Sequence, residues 1–208
     1  MRSIKTPVEL EALYQPLPTL ASTVKEVDHI TPHYRRLIEH SPFVAIATCG
    51  PGGLDCSPRG DAGSVVRVLD EKTLAPPDRR GNNRIDSLRN ILADPRVALL
   101  FLLPCSGTTF RVNGTAVITA DAGLCRSFEM EGKVPRCVLV VKVEAAYFQC
   151  ARAVIRAGLW DLSKHVPKEA LPTAGEILEE LSEQGIQAKA LTTNGPAAPP
   201  RPCGEAVA

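Results

Sequence analysis

The chain has 208 residues, 44% of them hydrophobic and 23% charged, with a formal net charge of +1 at pH 7. These values suit one globular domain with a substantial core and argue against a general nucleic-acid binder, which carries a strong basic excess. No apolar run approaches the roughly 20 residues that span a bilayer, and the N-terminal MRSIKTPVEL has no hydrophobic signal core, so a cytoplasmic location is expected.

The first thirty residues show no clear amphipathic period and read as an arm, partly helical around Val8 to Leu13. Thr31-Pro32 marks a helix start, with threonine as N-cap and proline at the first helical position; the helix runs through Tyr34, Leu37 and Ile38 and stops before Pro42. Phe43 to Thr48 is apolar and β-branched, and Leu54 to Arg59 returns after a Gly-rich turn, which predicts a hairpin. Ser64 to Leu69 and Lys72 to Ala75 are two further strands. Arg84 to Leu92 places Ile85, Leu88, Ile91 and Leu92 on one helical face, behind Asn82 or Asn83 as N-cap. Val97 to Leu103 reads as a buried strand, and Thr108 to Thr119 as a long one with Gly114 at a bulge or bend.

Further on, Asp121 to Met130 reads as helix and Cys137 to Phe148 as strand. Ala151 to Leu159 is a short helix or a turn. A last amphipathic helix runs from Thr173 or Ala174 to Gln184, and the Ala-, Pro- and Gly-rich residues after Leu191 read as a disordered tail. About six strands in hairpins, interleaved with short helices, favour a mostly antiparallel barrel with peripheral helices over a doubly wound sheet. The seven cysteines are widely spaced without C-x-x-C and read as small reduced core residues, although Cys49 and Cys56 flank the hairpin turn.

The segment PDRRGNNRIDSLRNILADP carries the most chemistry. It sets Arg79, Arg80 and Arg84 before a helix whose first N–H groups have no partner, with Arg89 and Arg96 nearby. Guanidinium groups and free amides together make an anion site, which Asn82 or Asn83 and Ser87 would complete; a phosphate monoester suits it. The alternative is a solvated basic loop whose arginines pair with Asp78, Asp86 and Asp94.

Three weaker signals accompany it. Arg59 in CSPRGDAG ends a strand beside glycines, or else pairs with an acid on a surface turn. Thr109, Arg111 and Asn113 share a strand face by period two. Arg152, Arg156 and the only tryptophan, Trp160, recur every four residues; if helical they form a cationic-aromatic stripe that clamps a planar anion or anchors an interface. No G-x-G-x-x-G after a strand, P-loop or G-x-S-x-G elbow is present, and His29 and His33 read as surface histidines.

Together SPRGD, PDRRGNNRIDSLRNILADPRVALLF, RVNGTA and C-x-R-A-x-x-R-x-x-L-W resemble a subgroup of the pyridoxamine 5'-phosphate oxidase-like FMN-binding flavoproteins over roughly residues 30 to 165. The resemblance implies an antiparallel split β-barrel with peripheral helices, mostly β, forming a homodimer with FMN at the subunit interface. It implies phosphate-side roles for Arg59, Arg79, Arg80, Asn83, Arg84 and Ser87, ring-side positions for Thr109 and Arg111, and a reach from the partner subunit for Arg156 and Trp160. The vitamin B6 oxidase's S-R-K run and C-terminal pattern are missing, which implies a subgroup distinct from that enzyme.

The expected organisation is an arm over 1–30, the FMN-binding domain over 31–165, a helical extension over 166–190 and the tail over 191–208. The implied function is FMN-dependent oxidoreduction of a small molecule, with flavin N5 carrying the hydride. The alternatives are a flavin carrier or sensor without turnover, or a dimer holding another planar or phosphorylated ligand such as haem or a deazaflavin.

Overall fold

The computed structural model describes residues 2–14 and 18–182. The end of the last helix at Gln184 and the tail expected after Leu191 lie outside the described residues. The chain divides after Ala151 into two compact units, Met1–Ala151 and Arg152–Ala208.

The first unit begins with two short helices, α1 (Pro7–Glu11) and α2 (Leu20–Thr23), then α3 (Pro32–Glu39). Thr31 caps α3 by accepting from the Tyr34 N–H at 3.2 Å, with Pro32 in the first turn, as the sequence predicts. The hairpin follows as β1 (Phe43–Gly50) and β2 (Gly53–Gly60), closed by Pro51 and Gly52, with Gly53 at φ 106°. Then come β3 (Arg67–Asp70) and β4 (Thr73–Ala75). The third strand starts three residues later than Ser64 because the Ser64 hydroxyl bonds the Val66 and Ile38 carbonyls, a local alternative to a ladder.

Helix α4 (Asp86–Ala93) leads to β5 (Arg96–Leu102), β6 (Thr109–Thr119), α5 (Ala122–Ser127) and β7 (Val138–Gln149). α5 is shorter than its sequence suggests: Glu131 and Gly132 adopt positive φ in a turn that bridges Met130 to Lys133. The second unit holds α6 (Arg152–Ala157) and α7 (Ala174–Leu181), the latter opened by a reciprocal capping box between Thr173 and Glu176.

All seven strands form one antiparallel sheet in the order β2-β1-β5-β6-β7-β4-β3. The sheet is open, which corrects both the barrel read from the strand pattern and the split barrel that the resemblance implied. β2 and β3 are its two edges and no ladder joins them. The linking residues bond elsewhere, Asp61 N–H to the Pro42 carbonyl and Val65 N–H to the Ser41 carbonyl, and β3 and β4 are only four and three residues long. Without a ladder between the edges a sheet does not close.

One face of this sheet forms the core. Val44 and Ile46 of β1, Leu99 and Phe101 of β5, and Phe110 and Val112 of β6 are almost fully buried beneath Tyr34 and Ile38 of α3 and Ile91 of α4. Burying each such side chain contributes about 1.5–3 kcal/mol relative to leaving it exposed. Asn90 is the polar anchor of α4, its Nδ2 donating to the buried Thr48 hydroxyl at 3.1 Å. Gly50 lets α4 approach, since a Cβ there would overlap the Asn90 side chain.

The bulge expected at Gly114 is present as a register shift against β7 between Asn113 and Gly114. Cys49 pairs with Leu54 and Ala47 with Cys56, so the two hairpin cysteines are not opposite one another. The cysteines do not all behave as reduced core residues. Cys125 is buried, Cys56 and Cys150 are exposed, and Cys105 is disulfide-bonded. Among the described residues no helix is long and apolar enough to cross a membrane.

Candidate functional site

A cavity of about 560 Å³ opens between β2 and the loop that enters α4. That is within the usual size of small-molecule and cofactor sites. The pleat of β2 builds one wall. Asp55, Ser57 and Arg59 pair with Thr48, Ile46 and Val44, so their side chains share the core-side face and spread over about 13 Å of strand. The loop 77–88 builds the other wall.

Six of the ten residues expected at a ligand site line this cavity: Arg59, Arg79, Arg80, Asn83, Arg84 and Ser87. They differ sharply in what already engages them. Arg59 donates to the Ser57 hydroxyl and stands 3.7 Å from Asp78. Arg79 is held hard, its Nε and Nη2 each 2.7 Å from Asp61 Oδ2 and its Nη1 on the Phe128 carbonyl. Arg84 reaches Asp86 through Nε at 2.9 Å and Nη2 at 2.8 Å. Arg80 has no hydrogen bond or ion pair among the described residues. The internally paired basic loop and the ligand cavity are therefore both present in one place.

The helix opening differs from expectation. α4 starts at Asp86, two residues after Arg84, with Ile85 as an N-cap that offers no side-chain bond. The reason is local: Asn82 Oδ1 accepts the Arg84 N–H at 3.0 Å, and Asn83 sits in the left-handed region at φ 61°. These residues form an Asx turn instead of a cap. Asp86 places a carboxylate of the protein at the positive end of the helix dipole. Ser87 is buried and donates to the Asp55 carboxylate at 2.5 Å, so its proton is already committed.

Thr109 and Arg111 are not brought to this cavity. The register links Arg111 to Leu100 and Leu100 to Ala45, all on the sheet face opposite the core, where the Arg111 guanidinium lies 5.3 Å from the Tyr147 ring centroid. Arg156 and Trp160 belong to the second unit. α6 ends at Ala157 and Gly158 follows at φ 59°, so Trp160 falls beyond the helix and the four-residue stripe is not continuous. Arg152 and Arg156 are exposed and Trp160 is half-buried.

Among the lining residues that sequence reasoning did not single out are Asp55, Arg136 and Cys137. Arg136 Nη1 donates to Asn83 Oδ1 at 2.9 Å and has no carboxylate partner among the described residues. Nothing local marks it, since it follows a turn more than fifty positions along the chain. Asp55 was legible, because Asp55, Ser57 and Arg59 alternate on one strand. Burial pushes the Cys137 thiol up, and the nearby Asp78 charge adds to the effect, so this sulfur stays protonated and is not an activated nucleophile.

In all, five arginines and three aspartates line the cavity, and only Arg80 and Arg136 among those arginines have no carboxylate partner in the described residues. The arrangement can bind an anion and flank it with hydrogen-bond donors.

The sequence profile of the family described as Pyridoxamine 5'-phosphate oxidase matches residues 30–150. No curated protein matches the chain. Among solved structures it is similar to HupZ of Group A Streptococcus, at 23% identity and a TM-score of 0.45, over 55% of this chain and 90% of that one. A point variant of the same protein overlaps at 20% identity and a TM-score of 0.48, over 58% and 99%. A Lactobacillus delbrueckii candidate pyridoxamine 5'-phosphate oxidase overlaps at 22% identity and 0.46, over 58% and 95%.

Proposed function

Because the chain belongs to the pyridoxamine 5'-phosphate oxidase family, we propose that it binds FMN and acts as an FMN-dependent oxidoreductase on a small molecule. The observation that carries this reading is the arginine-lined cavity of about 560 Å³, with Arg80 and Arg136 unneutralised by any carboxylate among the described residues. A phosphate monoester brings about two negative charges at neutral pH. Two such guanidinium groups, with Arg84 and Arg59 beside them, fit that charge.

In this reading Arg80, Arg136, Arg84 and Arg59 hold the phosphate, with the Asn83 amide beside them. Arg79 keeps the wall in place through Asp61 and Phe128 instead of contacting the ligand. Ser87 acts through Asp55. Thr109 and Arg111 face away from the cavity, so they serve a flavin only across a subunit contact. The proposal therefore includes a homodimer, with Thr109 and Arg111 near the ring system and Arg156 and Trp160 reaching it from the partner subunit.

Bound flavin would supply the hydride or electron transfer at N5, and the protein's part is position and electrostatics. The test is the visible spectrum of the purified protein, before and after incubation with FMN. Retained flavin bands after gel filtration support the reading. A protein that stays colourless after incubation overturns it. A screen of electron donors and acceptors then separates turnover from flavin carriage.

A further inference from the structure

One acid in the cavity behaves unlike the others. Asp78 stands against Arg59, and Asp86 against Arg84 and Arg89. Asp55 lines the same arginine-rich space yet forms no ion pair; among the described residues its carboxylate accepts only the Ser87 hydroxyl. A carboxylate offers about four lone-pair positions. One is filled, by a side chain that is 4% exposed and anchored in α4. The backbone of Asp55 is fixed in the β2 ladder opposite Thr48. The carboxylate is thus oriented from two sides, with acceptor capacity left over at the cavity wall.

Such a group is costly beside a bare phosphate, because like charges repel in a partly dry site. It is favourable beside a ligand that carries O–H groups next to its phosphate, since a hydrogen bond to a charged acceptor is stronger than one between neutral groups. We propose that Asp55, positioned by Ser87, is a specificity-determining residue that accepts hydrogen bonds from hydroxyl groups of a phosphate monoester, so that the cavity selects a hydroxylated phosphate ester over inorganic phosphate. Arg80, Arg84 and Arg136 take the anion, and Asp55 reads the hydroxylated chain attached to it. The inference deepens the flavin reading, because FMN carries such a chain, and it does not require the flavin ring.

The test uses the full chain freed of any flavin and measures dissociation constants by calorimetry for inorganic phosphate, ribose 5-phosphate and FMN, in the wild type and in Asp55→Asn. Asparagine keeps an acceptor for Ser87, so the wall stays in place; circular dichroism and the melting temperature verify this. The expected result has opposite signs. Asp55→Asn binds inorganic phosphate several-fold more tightly and ribose 5-phosphate about tenfold more weakly, so the preference for the ester collapses. Should Asp55→Asn not fold, Ser87→Ala, which frees the carboxylate to swing, is expected to reduce the same preference.

A wild type that does not prefer ribose 5-phosphate, or a preference unchanged in the variant, overturns the inference. The FMN measurement reports separately. Loss of the ester preference in a protein that never binds FMN leaves Asp55 in its role and removes the flavin. Tight FMN binding that ignores Asp55→Asn keeps the flavin and removes the role.

Discussion

Arg79 holds Asp61 through two guanidinium nitrogens, Nε and Nη2, both 2.7 Å from the same carboxylate oxygen. The Asp61 side chain is 8% exposed, and the third nitrogen of Arg79 caps the Phe128 carbonyl. The sequence offers Arg79 as a phosphate ligand, but this geometry makes it a strut that ties the end of β2 to the loop before α4 and to α5. Arg79→Ala leaves a nearly buried carboxylate unpaired, which costs about 3–5 kcal/mol. The expected result is a large drop in urea midpoint, with flavin content per folded molecule little changed.

Arg84 shows the opposite balance. It lines the cavity, and among the described residues its side chain's only partner is the half-buried Asp86 two residues on. Arg84→Glu replaces attraction with repulsion at a phosphate and should weaken FMN binding at least about tenfold, since one charged hydrogen bond contributes about 1.5–3 kcal/mol. Arg89→Glu, in the first turns of α4 but outside the cavity wall, is the control and should bind FMN as the wild type does. Equal affinity in both variants would remove Arg84 from the site.

Gly114 sits at the bulge where β6 shifts register against β7. A Cβ at this position would run into the Lys142 carbonyl, which is backbone and cannot rotate away. Gly114→Ala should therefore destabilise the first unit by about 1–3 kcal/mol, the usual cost of overpacking a filled site. Equilibrium unfolding measures it, and an unchanged midpoint would contradict the bulge.

Hydrogen bonds from Lys72 and then His29 bring the Asp28 carboxyl down to about 2. A carboxyl lowered on folding stabilises the folded state above its unfolded value of about 3.9 and loses that contribution as pH falls through the folded value. Docking of the segment around Val27, which bridges Ala146, should therefore weaken between about pH 4 and pH 2. Asp94 shares this window through Arg96, so the readout is site-specific: carboxyl NMR titration of Asp28, expected to move upward in Lys72→Met while the His29 bond keeps part of the lowering. Asp28 is exposed, so the effect on global stability is small.

Much of the fold was legible because its causes are local. Thr31-Pro32 starts α3 through a cap bond that needs only three residues, and Asp121 opens α5 in the same way. The apolar run of β5 marked a buried strand, and the alternation through β6 put Thr109, Arg111 and Asn113 on one face, since a strand side chain's direction follows from its position alone. Where predicted boundaries slipped, a side chain had bonded nearby backbone instead: Ser64 before β3, and Asn82 before α4.

The cavity was half legible. Clustered arginines around 79–84 pointed to it, yet a run of charges does not disclose its partners. Asp61, Asp55 and Arg136 come from other elements, and only folding decides that Arg79 is spent on Asp61 while Arg80 is not. Sequence likewise could not tell which side of the sheet carries the site. Thr109 and Arg111 share a face by period two, but that this face is opposite the cavity follows from registers spanning β2 to β6.

By itself, the sequence determined the elements, the family and the segment bearing the arginines, because capping, periodicity and turn chemistry act within a few residues. Tertiary structure alone decided that the sheet stays open, which arginines remain unpaired, and that Ser87 meets Asp55. Each of those depends on contacts between residues distant in the chain, where the energy of a pair is set by what else comes within reach.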